Sequence, residues 1–336
     1  MRRQGDKLRV FITGAAGFIG SQVARKYANL GAQVTCIDNL NSYYSVDLKR
    51  ARVEQILDHQ NIDFLEVDLV NRYEIDRLID SRRPELIVHL AAQAGVRLPL
   101  NETDRYVNSN LVGFSNILNS AVQYEIPDFM YASSSSVYGN SPNAPYKESQ
   151  LGLEPISFYG ATKLSNEILA RGLSNKSKTS TRALRFFTVY GPWGRPDMAY
   201  FRMVSSLLLG RTFHLFGDGS LKRDFTFIDD AVESVVLLSE QMKNQNFTKS
   251  DVINIGGGNE YSIQDLISFV NNLNGTELKV IQESSFSGDV KQTLADSSLL
   301  NRLTGKIPDT NLPEGIKKVY EWMLKPQILS LVSSWN

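Results

Sequence analysis

An apolar run, Leu8-Arg-Val-Phe-Ile-Thr13, passes directly into Gly14-Ala-Ala-Gly17-Phe-Ile-Gly20 and then into a helix-like stretch reaching about Leu30. Few folds use three glycines at this spacing between a strand and a helix. Gly14 permits a tight turn, Gly17 lets backbone amides approach a pyrophosphate, and Gly20 allows close helix-to-strand packing, with the helix N-terminus facing the negative charge. The spacing is G-x-x-G-x-x-G, not the G-x-G-x-x-G of the general dinucleotide fingerprint. The next run, Gln33-Val-Thr-Cys-Ile-Asp38, ends in an acid placed to accept bonds from ribose hydroxyls. Because Asp38 would repel a 2′-phosphate, this pattern predicts NAD as the cofactor.

Strand-like segments at Ile62 to Leu69, Glu85 to Ala92, Asp128 to Ser134 and Thr181 to Tyr190 alternate with helical stretches around Tyr73 to Asp80, Asp104 to Tyr124 and Tyr159 to Leu173. Such alternation implies an α/β fold with a Rossmann-type doubly wound parallel sheet, ligands collecting at the C-terminal strand ends. Beyond Tyr190 come the turn-rich Gly191-Pro-Trp-Gly-Arg-Pro-Asp-Met198 and shorter elements. They are helices near Asp229 to Lys243, Ser262 to Leu273 and Glu314 to Met323, and strands at Val252 to Ile255 and Leu278 to Ile281. The predicted division is an NAD-binding domain over 1–190, its sheet completed by segments near 226–256, and a smaller α/β substrate-binding C-terminal lobe over 191–336. The tail from Lys325 to Asn336 carries no readable pattern.

Composition supports this class. A chain of 336 residues with 42% apolar content can bury a large core, and 36 basic residues balance 36 acidic ones, which argues against nucleic-acid and membrane-surface partners. The single cysteine, Cys36, sits in an apolar strand and reads as a core residue in a reducing compartment. His59, His89 and His214 are scattered without metal-ligand spacing, so no metal is expected, and His89 reads as a core histidine. With no signal-like apolar region before the first strand and no run of membrane-spanning length, a soluble cytoplasmic protein is expected.

A chemical signal stands in Ser157-Phe-Tyr-Gly-Ala-Thr-Lys163. Tyr159 and Lys163, four apart, share a helix face, and an ammonium beside a phenol favours the phenolate. The serine cluster Ser133 to Ser136 lies shortly before them, and Ala91-Ala-Gln-Ala-Gly-Val-Arg97 closes another predicted strand.

TGAAGFIG, HLAAQAGVR, SSSSVYG, YGATK and RDFTFIDD together resemble the extended short-chain dehydrogenases that act on nucleotide sugars. Asp38-Asn-Leu-Asn-Ser-Tyr-Tyr44 with Leu48-Lys-Arg50, and TVYGPWGRPDM from Thr188 to Met198, resemble the UDP-glucuronate 4-epimerases within that family. The resemblance implies Tyr159 as the base at the sugar 4-hydroxyl, with Lys163 on the nicotinamide ribose and Ser134, or Ser136, bonded to the same hydroxyl. It implies NAD contacts from Gly14, Gly17, Phe18, Ile19, Asp38, Asn39, Asp68, Leu69, Ala91, Gln93 and Lys163. UDP-sugar contacts are implied for Arg97, Thr188, Arg195, Phe213, Arg223 and Asp289, with Phe213 near the uracil and Arg223 on the diphosphate. A homodimer through the helices near 104–124 and 159–173 is also implied. The chain departs from the family pattern at Phe286-Ser-Gly-Asp289, where a polar Gln or Arg usually precedes the Gly-Asp pair. It departs again at Leu98-Pro99, where glucuronate epimerases carry Tyr-Ser.

The expected chemistry is inversion at C4 by transient oxidation, rotation of the 4-keto sugar and re-reduction, with remote binding energy from UDP holding the substrate throughout. A 4-keto glucuronate has its carboxylate β to the ketone and tends to lose carbon dioxide; Arg195 is suited to hold that carboxylate bidentately. The alternatives are 4-epimerisation of a UDP-N-acetylhexosamine or UDP-hexose, decarboxylation of UDP-glucuronate, and dehydration of the sugar. A non-catalytic NAD sensor has no need of the hydroxyl, tyrosine and lysine set.

Overall fold

The computed structural model describes residues 7–96, 99–241, 248–284 and 290–333. In chain order the first elements are β1 (Arg9–Thr13), α1 (Phe18–Asn29), β2 (Gln33–Asp38), α2 (Val46–Leu57), β3 (Ile62–Glu66), α3 (Arg72–Arg82) and β4 (Leu86–His89). There follow α4 (Thr103–Tyr106), a π-helical turn over Val107–Gly113, α5 (Phe114–Gln123), β5 (Asp128–Ser134), α6 (Phe158–Ser174) and β6 (Ser180–Phe186). The remainder comprises β7 (Thr188–Tyr190), α7 (Ala199–Leu209), β8 (Phe213–Phe216), β9 (Lys222–Phe227), α8 (Ile228–Gln241), β10 (Ser250–Ile255) and β11 (Glu260–Ser262). It ends with α9 (Ile263–Asn271), β12 (Val280–Glu283), α10 (Ser298–Thr304), α11 (Leu312–Met323) and α12 (Pro326–Ser333).

Seven strands form one sheet in the order β10-β6-β5-β4-β1-β2-β3, parallel throughout. The two-residue period of the strands divides the core between its faces. Val10 and Ile12 of β1 pack in the cluster that holds α1 and α8, whereas Phe11 packs in the one that holds α3 and α5. Strand order reverses between β1 and β4, the switch point where such sheets open a crevice at their carboxyl ends. Of the stretch 226–256, Ser250–Ile255 joins this sheet.

The expected strand from Thr181 to Tyr190 is two strands. The amide of Phe187 still donates to Ile255 O at 3.0 Å, but β7 then leaves and pairs with β9, in a three-stranded sheet completed by β11. An unbroken run of strand formers does not reveal a change of partner. Residues 326–333, within the patternless tail, form α12, which buries Ile328 and Val332. Among the described residues no helix is long and apolar enough to cross a membrane.

Candidate active site

Above the switch point the glycines leave no room for side chains. Gly14 has φ +73°, and a Cβ there would lie 2.6 Å from Ala91 N; at Gly20 a Cβ would lie 2.1 Å from Gly14 O. The Gly17 amide donates to Gly14 O at 2.9 Å, and Gly17 caps α1, whose first amides, from Phe18 and Ile19 onward, belong to a turn with no intrahelical acceptors. Asp38, at the end of β2, accepts from Ala16 N at 3.1 Å and Leu40 N at 2.9 Å. Burial raises its carboxyl above the usual range against the pull of the Leu40 amide and Lys49. Asn39 Nδ2 donates to Asp68 Oδ2 at 2.9 Å, and Leu69, Ala91 and Gln93 continue the same wall.

This wall belongs to a cleft of about 1380 Å³ that also reaches Tyr159, Lys163, Ser134, Ser136, Thr188, Arg195, Phe213 and Arg223. The volume exceeds the roughly 300–1,000 Å³ of a site for one drug-sized ligand, leaving room for two end to end. Arg97 and Asp289 lie outside the described residues.

Ser157 starts α6 by accepting from Gly160 N at 3.0 Å, which puts Tyr159 in the first turn and Lys163 one turn on. Lys163 is buried and donates to Ala132 O at 2.8 Å; burial lowers its ammonium to about 8. Its Nζ stands 5.8 Å from the Tyr159 ring centre. Contrary to the expectation of a lowered phenol, Tyr159 lies above its ordinary value. Burial outweighs the opposing influences of the Arg195 charge and a hydrogen bond with Ser134. Ser134 Oγ and Ser136 Oγ are 3.1 Å apart, and Ser134 also accepts from Ser136 N.

On the far wall, Arg195 Nε donates to Asp197 Oδ1 at 3.0 Å and Nη2 to Asp197 Oδ2 at 2.5 Å. Burial works to raise Asp197, but the guanidinium wins and holds its carboxyl below the usual range. Tyr43 Oη donates to the same carboxylate at 3.4 Å, so the loop after β2 meets the loop after β7. Phe213 is buried with the Arg202 guanidinium 5.6 Å from its ring centre, and Thr188 opens β7.

Three contributors carried no sequence signal of their own. Arg52, fully buried on α2, donates to Trp193 O, Gly194 O, Ala16 O and Tyr44 Oη. It ties the glycine turn to the backbone before Arg195, across a left-handed Trp193 at φ +64°. Asn110, in the π-helical turn, accepts from Gln93 N at 2.8 Å and donates to Thr162 Oγ1 at 3.0 Å. Tyr106 Oη donates to Gly95 O at 2.6 Å, and its ring lies 6.2 Å from that of Tyr159. Their signals lay only in neighbouring motifs, for Arg52 the Leu48-Lys-Arg50 stretch two residues earlier.

His89 is a buried neutral histidine, as expected, bonded through Nδ1 to Thr13 Oγ1 at 2.8 Å and pushed by burial to about 3. Cys36 is buried in the sheet. Among the described residues no group of three His, Cys, Asp or Glu side chains stands close enough to hold a metal ion.

A switch-point glycine turn, an acid ending β2 and a Tyr-Lys pair under a serine turn are the features of a dinucleotide-binding scaffold, and residues 10–256 match the NAD dependent epimerase/dehydratase family. The chain belongs to that family. It is 38% identical to a probable UDP-glucuronate 4-epimerase of Rhizobium meliloti, over 94% of this chain and 96% of that one. The UDP-glucuronic acid 4-epimerase of Bacillus cereus, solved with UDP-glucuronic acid and NAD, superposes with a TM-score of 0.87 at 31% identity, over 96% of this chain and all of that one. A UDP-glucose 4-epimerase of Thermotoga maritima, solved with UDP-glucose, gives a TM-score of 0.85 at 28% identity, over 95% of this chain and all of that one.

Proposed function

We propose that this protein is an NAD-dependent UDP-sugar 4-epimerase that interconverts UDP-glucuronate and UDP-galacturonate. The observation that carries the reading is one continuous cleft bringing Tyr159, Lys163 and Ser134 together with Arg195.

The residues fit a dinucleotide. The crowding of Gly14 against Ala91 and of Gly20 against Gly14 O keeps side chains out of the turn, leaving the main-chain amides of Gly17, Phe18 and Ile19 to meet a pyrophosphate. Asp38 and Asn39 would hold the adenosine ribose, Asp68 and Leu69 the adenine, and Ala91, Gln93 and Lys163 the nicotinamide half. When bound, NAD supplies the oxidising and then the reducing equivalent that makes and unmakes a planar ketone at C4.

The chain's own residues do the rest. Tyr159 takes the proton from the sugar 4-hydroxyl and returns it, and Ser134, supported by Ser136, orients that hydroxyl. Arg223 would meet the diphosphate and Phe213 the uracil, fixing the nucleotide while the ketone turns over. Arg97 and Asp289 are further substrate contacts on the same reading. Asp197 occupies the Nε edge of Arg195, leaving the Nη edge for the C6 carboxylate, which must be held out of the orientation that favours carbon-dioxide loss. The same pairing favours a second reading, a neutral UDP-hexose or UDP-N-acetylhexosamine, because Asp197 already neutralises Arg195. Incubation with a panel of UDP-sugars and NMR of the products decides between them. UDP-galacturonate from UDP-glucuronate supports the first, and turnover of neutral sugars alone supports the second.

We also propose a soluble cytoplasmic homodimer built on α4, the π-helical turn, α5 and α6, where Val112 of the turn and Ile168 and Leu169 of α6 stand exposed. Light scattering should give twice the chain mass.

A further inference from the structure

Glu167 is not one of the groups that would touch a ligand, yet it is bound on every side. Its Oε1 accepts from Ser133 Oγ at 2.5 Å and Arg185 Nε at 2.9 Å, and Oε2 accepts from Arg185 Nη2 at 2.7 Å. Both charged side chains are 3% exposed. Burying such a pair costs desolvation on both ions, and an apolar pair of similar volume is often no less stable, so stability alone gives little reason for it.

Its placement supplies one. Tyr159, Lys163 and Glu167 stand four apart on one face of α6. Each meets one of three successive residues of β5: Tyr159 meets Ser134, Lys163 meets Ala132 O, and Glu167 meets Ser133. Arg185 is the register partner of Ser133 on β6, and its guanidinium lies 4.7 Å from the ring centre of Tyr138. Tyr138 ends the turn that carries Ser136 and donates through Oη to Asn254 Oδ1 of β10 at 2.8 Å. The fork between Glu167 and Arg185 has two parallel lines of bonding, which fix both the rotation of α6 and its slide along the sheet.

We propose that Glu167 and Arg185 form a positioning pair that sets Tyr159 and Lys163 against Ser134 to within the tolerance of proton transfer. This rests on the reading of Tyr159 as the base. A displacement of about 1 Å at a reacting group can cost on the order of a hundredfold in rate, whereas nucleotide binding spread over a long cleft is insensitive to it.

The test separates positioning from stability. In the NAD-loaded protein, Glu167→Gln strands the Arg185 charge and should lower the unfolding midpoint by roughly 5–10 °C. The triple variant Ser133→Ala, Glu167→Met, Arg185→Met removes every polar partner at once and should unfold within roughly 3 °C of the parent. Its kcat should nevertheless fall roughly tenfold to a hundredfold with KM changed less than about threefold. Glu167→Asp, which keeps the charge on a shorter stem, should show the same split, and it decides the question if the triple variant does not fold. A kcat within about twofold of the parent in the deciding variant would overturn the inference. Tyr159→Phe is the parallel control: if it keeps full turnover, the assignment of the base fails, independently of the pair.

Discussion

The glycine turn and the loop that carries Arg195 face each other across one cleft, but they are shaped by different physics. The turn is built from seven consecutive residues whose only freedom is steric, since a Cβ at Gly20 would lie 2.1 Å from Gly14 O. The Arg195 loop is held by long-range polar bonds: Arg52 reaches Trp193 across 141 residues of chain, and Tyr43 reaches Asp197 across 154. The first should therefore behave as an all-or-none cradle, indifferent to the sugar, and the second as an adjustable grip that discriminates between sugars.

The largest break in that contrast should come from Gly20→Ala. The atom struck is backbone and cannot swing aside, so strain of about 1–3 kcal/mol should appear as NAD affinity reduced up to about a hundredfold, by calorimetry, with every sugar affected alike. Arg195→Ala sharpens the other side. It should remove a charge-assisted contact of about 1.5–3 kcal/mol, so KM for UDP-glucuronate should rise roughly tenfold or more while neutral UDP-sugars change far less. Mass spectrometry should also detect a decarboxylated UDP-pentose-4-ulose. Equal losses on both sugar types would show that Arg195 serves the nucleotide or the fold.

Lys163 tests the cradle through pH. Held near 8 by burial, it loses its ammonium as pH rises through that value, so NAD affinity should fall about threefold to tenfold between roughly pH 7 and 9.5, as a charged donor becomes neutral. Lys163→Met should bind weakly with a flat profile. Folding stability moves the other way. With the folded value below the ordinary 10.5, the unfolded chain binds more protons between about 8 and 10.5, and Lys163 contributes increasing stability to the NAD-free protein across that window. The smallest effect is expected for Asp38→Ala, a few-fold weaker NAD binding with reduced discrimination against NADP; a parent that prefers NADP would refute the reading of Asp38.

What was legible in the sequence follows the same division. Asp128 to Ser134 emerged as one strand, and Gly14, Asp38 and Tyr159 in their elements, because a local pattern of period or spacing carries each. The break after Phe187 was not legible, since the β9 partner of Thr188–Tyr190 lies far along the chain. Nor were Arg52, Glu167 and Arg185, charged residues whose burial depends on partners brought together only by the sheet. The direction of the Tyr159 shift was misjudged for a related reason. A helix spacing shows that Lys163 is near but not that its Nζ donates to Ala132 O, nor how deeply the phenol is buried.

On the proposed reading, Tyr159 moves the proton of the sugar 4-hydroxyl in a protein whose cofactor cradle is independent of it. The direct test loads parent and Tyr159→Phe with NAD, confirms equal binding by calorimetry, and follows UDP-glucuronate by NMR. The account predicts UDP-galacturonate from the parent and turnover reduced at least about a hundredfold in the variant, with NAD affinity unchanged. Turnover near the parent level in the phenylalanine variant would contradict it.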